Sequence, residues 1–234
     1  IVLVLLVFAT SCTKNFVDFN TDSKSPSAVE GEYFFTRAQK ELADQISSSN
    51  VNWNIWKLVS QYWTETTYID EANYDIINRN IPEQVFRAYY RNILKPLDQA
   101  TLLIADDPLT PAETEAQKQN KLLIIDILEV YCYHNLVNIF GDVPYTEAID
   151  YENISPVYDD AATIYTDLLS RLNADISGLD AGAGSYVQAD VVYGGDVASW
   201  ITFANSLKLK IAIHLAYVNE SVAQSNVEAA VTAG

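Results

Sequence analysis

The chain has 234 residues, 49% of them hydrophobic, enough to bury a sizeable core as one large domain or part of a larger one. Its formal net charge is −17, from 31 acids against 14 Lys and Arg, and a field of that sign repels phosphate and sets nucleic acid aside as a partner. The two cysteines lack any zinc-type Cys/His spacing, so neither a metal nor a cofactor is expected. Fifteen tyrosines and four tryptophans make the chain rich in aromatics, most of them read as core and some as presented on a surface to a ligand. There is no methionine, and the final NVEAAVTAG reads as a helix in progress. The expectation is a chain cut at both ends and truncated at its C-terminus.

Residues 1–11, IVLVLLVFATS, form an apolar run too short to span a bilayer. They match the apolar and cleavage regions of a secretory signal peptide whose basic n-region is missing. Ala9-Thr10-Ser11-Cys12 then reads as a bacterial lipobox, with Cys12 the lipidated residue. Two or three acyl chains there would hold the protein stably on a membrane. Residues 12–25 form the lipidated tether, and a helical domain occupies 26–234.

Ser25-Pro26 reads as the start of a first helix with Phe35, Ala38, Leu42 and Ile46 on its apolar face. Three of the four tryptophans follow, and a helix over Asn54–Thr67 is expected to bury Ile55, Val59 and Tyr62. Tyr68 to Tyr74 is acidic and loop-like. The pattern turns helical again over 82–105, with a kink or break at Pro96, because an interior proline removes a hydrogen bond and costs roughly 3 kcal/mol.

The central helix is expected to start at Thr110, as N-cap, with Pro111 in its first turn and Glu113 completing a capping box. Its second half, with Leu122, Leu123, Ile124, Ile125, Ile127, Leu128, Val130 and Tyr131, is apolar around almost the whole circumference and should be enclosed. Asp126 and Glu129 read as its one wetted or ion-paired strip. Cys132 reads as a small buried hydrophobe, and Gly141 as a left-handed cap.

Helices follow over 158–179, opened by Asp159 and Asp160, and over 196–218, capped by Asp196. Another should start near Asn219. Lys208 and Lys210 read as a solvated edge. No segment alternates with period two, so the fold class is all-α. The helices pair as hairpins, 82–105 with 111–140 and 158–179 with 196–218, in stacked tetratricopeptide-like units joined by long irregular loops.

Several pieces occur in a particular order. Cys12 precedes Asp18-Phe19-Asn20-Thr21-Asp22, and Gln61-Tyr62-Trp63 precedes the Tyr-rich acidic loop. Gly141-Asp142-Val143-Pro144-Tyr145 closes the apolar helix. Tyr193-Gly194-Gly195-Asp196 and Trp200 to Lys208 open another. This ordered set resembles the N-terminal half of the SusD/RagB family of outer-membrane lipoproteins of Bacteroidota. The resemblance implies an all-helical, tetratricopeptide-like fold without enzymatic activity. It implies a nutrient-capture subunit for oligosaccharide, polysaccharide or peptide, working as a lid on a SusC-like TonB-dependent transporter. It also implies an anchor in the outer membrane, facing the cell surface.

Sugars are held by aromatic faces with nearby carboxylates and amides on their hydroxyls. Trp53, Trp63, Tyr68, Asp70, Glu71, Asn73 and Tyr74 supply that mixture and are the ligand-binding candidates. Against this, a single tryptophan is more often core. His134 and His214 lack a carboxylate or thiol at ligand spacing and read as structural. No Ser/His/Asp order suggests a catalytic residue. Two other classes stay open: a secreted all-helical glycoside hydrolase or lyase, and a helical-repeat lipoprotein that binds only proteins.

Overall fold

The computed structural model describes residues 29–233. The signal, Cys12 and tether readings fall outside that range. Among the described residues the chain is helical, with α1 (Gly31–Ser47), α2 (Trp56–Val59), α3 (Ile81–Arg87), α4 (Lys95–Asp106), α5 (Glu115–Phe140), α6 (Ala161–Gly178), α7 (Val197–His214) and α8 (Glu220–Ala233). Among the described residues the single ladder-type pairing is an isolated bridge between Val143 and Asp159. Helix α1 packs on α4, α4 on α5, α5 on α6, α6 on α7 and α7 on α8, so both expected hairpins form.

Helix α5 is the common wall. Ile124, Ile125, Ile127, Val130, Cys132 and Leu136 have no exposed surface. The helix is long and apolar enough to cross a bilayer, yet its apolar surface is spent on the core. Its start corrects the sequence reading. The cap is Thr114, whose hydroxyl accepts the Gln117 backbone N–H at 3.2 Å while the Gln117 side-chain Oε1 accepts the Thr114 N–H at 2.9 Å. Thr110-Pro111-Ala112-Glu113 is only a turn, and the Glu113 carboxylate is taken by Lys121 at 2.6 Å. Gly141 does close the helix with positive φ (77°), but its ψ of −122° lies outside the left-handed helical region and suits glycine alone.

Pro96 neither breaks nor interrupts the run from 81 to 106. The winding instead widens into a π-helical turn over Ala88–Leu94, and the Lys95 N–H reaches back to the Tyr90 carbonyl. The ring thus meets a loosened turn in place of a tight one.

The expected stripes on α6 and α7 are largely buried: Tyr165, Leu168, Leu172 and Leu179 on one, with Ala161 and Ile176 half-buried, and Trp200, Ala204, Leu207 and Ile211 on the other. Two stripes end early, with Ile46 and Val218 exposed. Lys208 overturns its reading as a solvated edge. It lies one turn after Ala204, on the buried face, and its ammonium reaches only Asn173 Oδ1 at 3.3 Å. Burial holds its pKa below the usual lysine range.

The ion-paired strip on α5 is present. Arg171 of α6 binds Asp126 through two nitrogens and Glu129 at 2.9 Å, and donates to the Tyr145 hydroxyl at 2.9 Å. Asp175 is buried beside Asp126. Three carboxylates facing one guanidinium cannot all stay ionised cheaply. Burial, then Asp126, pushes Asp175 up. Burial also pushes Glu129 up to about 7, with Arg171 opposing.

The two motifs that open α6 and α7 are clamps. In the first, Asp142 accepts the Ala161 N–H at 3.0 Å, at the first turn of α6, next to the cap that Asp160 provides through the Thr163 N–H. Asp159 accepts the Tyr145 and Thr146 N–H groups, both at 2.9 Å, and the Pro144 carbonyl accepts the Tyr90 hydroxyl at 2.6 Å. In the second, buried Asp190 accepts the N–H groups of Val192, Tyr193 and Gly195 and the indole N–H of Trp200. Gly195 has φ 85°, and a Cβ there would stand 1.8 Å from the Tyr186 carbonyl oxygen, so only glycine fits.

Candidate ligand-binding surface

Residues 48–80 leave the helical stack between α1 and α3. The expected helix over Asn54–Thr67 shrinks to the four residues of α2. Ile55 and Leu58 are buried, but Tyr62 is 85% exposed, so no continuous apolar face exists to stabilise a longer helix. Gln61 turns the chain with φ 58°, and the Trp63 N–H bonds back to the Lys57 carbonyl at 3.0 Å. The β-branched Thr64, Thr66 and Thr67 that follow are poor helix formers.

The excursion is nevertheless held at several points. Gln45 of α1 donates to the Trp53 carbonyl at 2.7 Å, and Asn54 donates to the Ile46 carbonyl at 3.1 Å. The Asp70 carbonyl accepts the Asp75 N–H at 2.8 Å around a single 3-10 turn, Glu71–Asn73. Glu71, with no exposed side-chain surface, sits 2.7 Å from Arg79 Nη1, and Arg79 also donates to Asn52. The Tyr74 hydroxyl donates to the Val59 carbonyl at 3.1 Å, tying the loop to α2.

The sequence-chosen candidates therefore separate. Trp63, Tyr68, Asn73 and Tyr74 are exposed on the loop, with Tyr68 87% exposed. The Lys57 ammonium lies 4.5 Å over the Trp63 ring, so Trp63 and Tyr74 are both fixed against α2. Trp53 is exposed at the entrance of the excursion, and Asp70 is half-buried with its carbonyl in the turn. Glu71 is not presented to solvent: it is the loop's internal anchor. Sequence reasoning passed over Trp56, Ile69, Ile76 and Ile77, which are also exposed here. The signal that marks them is the density of large apolar residues without helical period.

Recesses lie elsewhere among the described residues. One of about 550 Å³ opens between Glu30, Asp107, Glu113, Lys121 and Ser185, and no aromatic side chain lines it. A smaller one, about 180 Å³, is bounded by Glu129, Tyr133, Tyr145 and Arg171. Among the described residues no group of three or more His, Cys, Asp or Glu is placed to hold a metal. The histidines are not separate, however. His134 and His214, eighty positions apart, meet with ring nitrogens 3.3 Å apart.

These helices, clamps and aromatic excursion define a SusD-like helical scaffold. The chain belongs to that family: the family described as "Starch-binding associating with outer membrane" matches residues 23–234. No match was found among curated proteins. Among solved structures, a SusD homologue from Parabacteroides distasonis superposes with a TM-score of 0.67 at 21% identity, covering 86% of this chain and 38% of its own. A chitin-binding SusD homologue from Flavobacterium johnsoniae gives 0.66 at 20% identity, over 84% of this chain and 42% of its own. A chitin-binding protein gives 0.65 at 24% identity, over 88% and 40%. The chain thus spans about two fifths of the length of the structures it resembles.

Proposed function

We propose that this chain is part of a cell-surface glycan-capture lipoprotein. It would hold oligosaccharide or polysaccharide at the 48–80 excursion and pass it to a SusC-like TonB-dependent transporter in the outer membrane, with Cys12 as the lipid anchor. The observation that carries the reading is the exposure of Trp63, Tyr68 and Tyr74 on a loop pinned by the ion pair of buried Glu71 with half-buried Arg79. Exposed aromatic rings on a fixed backbone offer flat apolar faces at low ordering cost, which is what sugar C–H surfaces need. Family membership and the chitin-binding relatives support the same class of ligand.

Binding fits better than hydrolysis. A glycosidase needs a pair of carboxylates flanking the bond, one of them a proton donor. The acids with raised pKa, Glu129 and Asp175, belong to the cluster that Arg171 occupies, away from the aromatic excursion. Affinity electrophoresis against a panel of neutral polysaccharides tests the reading. Retardation by at least one glycan is expected, and Trp63→Ala and Tyr68→Ala should each weaken it several-fold, since one aromatic contact is worth about 1 kcal/mol. Unchanged retardation in both variants would remove this excursion from ligand contact. Absence of a β-barrel transporter in native-membrane pull-downs would remove the partner.

A further inference from the structure

Outside the aromatic excursion, four polar side chains from three helices converge on one point. His134 and Asn138 come from α5, Tyr165 from α6 and His214 from α7. His134 Nε2 lies 3.3 Å from His214 Nδ1 and 3.0 Å from the Asn138 amide nitrogen. The Tyr165 hydroxyl lies 3.0 Å from His214 Nδ1 and donates to Asn138 Oδ1. The four groups close a ring.

Proton counting shows what the ring lacks. The Tyr165 hydroxyl proton points to Asn138 Oδ1, so the amide nitrogen faces His134 Nε2 and can only donate to it. His134 Nε2 is then an acceptor, and its proton sits on Nδ1, which is buried without a hydrogen-bond partner. Three protons, one each from amide, hydroxyl and the His214 imidazole, serve four contacts. One contact must go without.

We propose that His134 and His214, with Asn138 and Tyr165, form a binding site for one borderline divalent transition-metal ion of the Zn2+ type. Two nitrogens 3.3 Å apart, each about 2.05 Å from a zinc ion, subtend about 107° there, close to the tetrahedral angle. The ion takes His134 Nε2 and His214 Nδ1 as its two strong donors. His214 is exposed, so its proton moves to the solvent-side Nε2 without net change in charge. Turning the Asn138 amide over supplies an oxygen as third donor and leaves its NH2 to bond the Tyr165 oxygen. Tyr165 or a water completes four. Two of the donors are thus an amide and a phenol. The C-terminal dipole of α7, where His214 sits, favours a cation; the Lys210 ammonium nearby opposes one. With no anionic ligand, binding should be reversible and exchangeable.

The test is a calorimetric titration of tag-free protein with ZnCl2 at pH 7, paired with anomalous diffraction from zinc-soaked crystals. One ion per chain is expected, with an anomalous peak about 2.0–2.3 Å from both ring nitrogens. His134→Ala would hollow the core, so the exposed His214→Ala carries the mutational arm. It should weaken binding roughly tenfold or more, because it removes one of the two strong donors. Absence of saturable binding up to about 1 mM, equal affinity in His214→Ala, or a peak elsewhere overturns the proposal.

Discussion

Asp190 Oδ2 accepts the indole N–H of Trp200 at 2.7 Å, and both side chains are buried. The same carboxylate gathers three backbone N–H groups of the turn that leads into α7. One acid therefore fixes both the loop and the largest buried side chain of the helix. Asp190→Asn places an amide among four donors. It should cost about 2–3 kcal/mol, because hydrogen bonds to a charged group are worth more than neutral ones. A urea titration would show it as a lower midpoint at unchanged slope; an unchanged midpoint would show the clamp to be idle.

Neighbouring glycines of that turn should differ sharply. Gly194 has φ 62° with nothing within 4 Å of an added Cβ, so Gly194→Ala should cost about 1 kcal/mol from backbone strain alone. Gly195→Ala drives a methyl into the Tyr186 carbonyl and should cost several kcal/mol or prevent folding. Equal melting temperatures for the two variants would contradict the close approach.

The start of α5 makes a second paired comparison. Thr114→Ala removes the cap and should cost about 1 kcal/mol, whereas Thr110→Ala should be near neutral. The reverse order in thermal melts would restore the earlier box.

Arg79→Ala strands the Glu71 carboxylate inside the aromatic excursion. The fully buried case costs about 3–5 kcal/mol, and the 31% exposure of Arg79 brings the expected loss to about 2 kcal/mol. The local outcome is more telling. Limited proteolysis should cut first within 60–80, and glycan retardation should fall although no aromatic residue was changed.

Stability should depend on pH in an unusual direction. Glu129 is raised from 4.5 to about 7 and Asp175 is raised too, so the folded protein holds protons that the unfolded chain has released. That stability is present in acid and is lost as pH rises towards 7 and beyond. His134, lowered from 6.5 to about 3, acts oppositely, adding stability as pH rises from 3 to 6.5. Above 6.5 only the acids act, so chemical denaturation midpoints should fall between pH 6.5 and 8. Asp175→Asn should flatten the fall, and a midpoint that rises across this window would refute the shared-proton cluster.

Much of the architecture was legible because it rests on local rules. Asp160 and Asp196 cap where acids before apolar stripes should, and the Arg171 partners were readable as the only acids on an enclosed helix face. The start of α5 was ambiguous because Thr110…Glu113 and Thr114…Gln117 both fit a capping box; Lys121, packed from the next turns, claims Glu113. Lys208 looked solvated because the sequence does not show what packs over that face of α7. Of the ligand candidates, Tyr68 and Tyr74 lie where the sequence reads as a loop, whereas Trp63 falls inside the expected helix and is exposed because that helix stops at Val59. The inward turn of Glu71 did not, since it depends on Arg79 folding back across the loop. The histidine meeting was invisible for the same reason, the partners standing eighty positions apart.

The clamp around Asp142, Asp159 and Tyr145 has a consequence for how this scaffold can change. Its bonds hold the end of α5 and the start of α6 together whatever runs between them. The intervening stretch carries the exposed Tyr151, Ile154 and Tyr158. For a segment whose ends are already fixed, doubling its length adds only about 0.6 kcal/mol of closure entropy. Insertions and deletions between Glu147 and Tyr158 are therefore cheap, and this rim can be lengthened, trimmed or resurfaced while the helical wall behind it keeps its register.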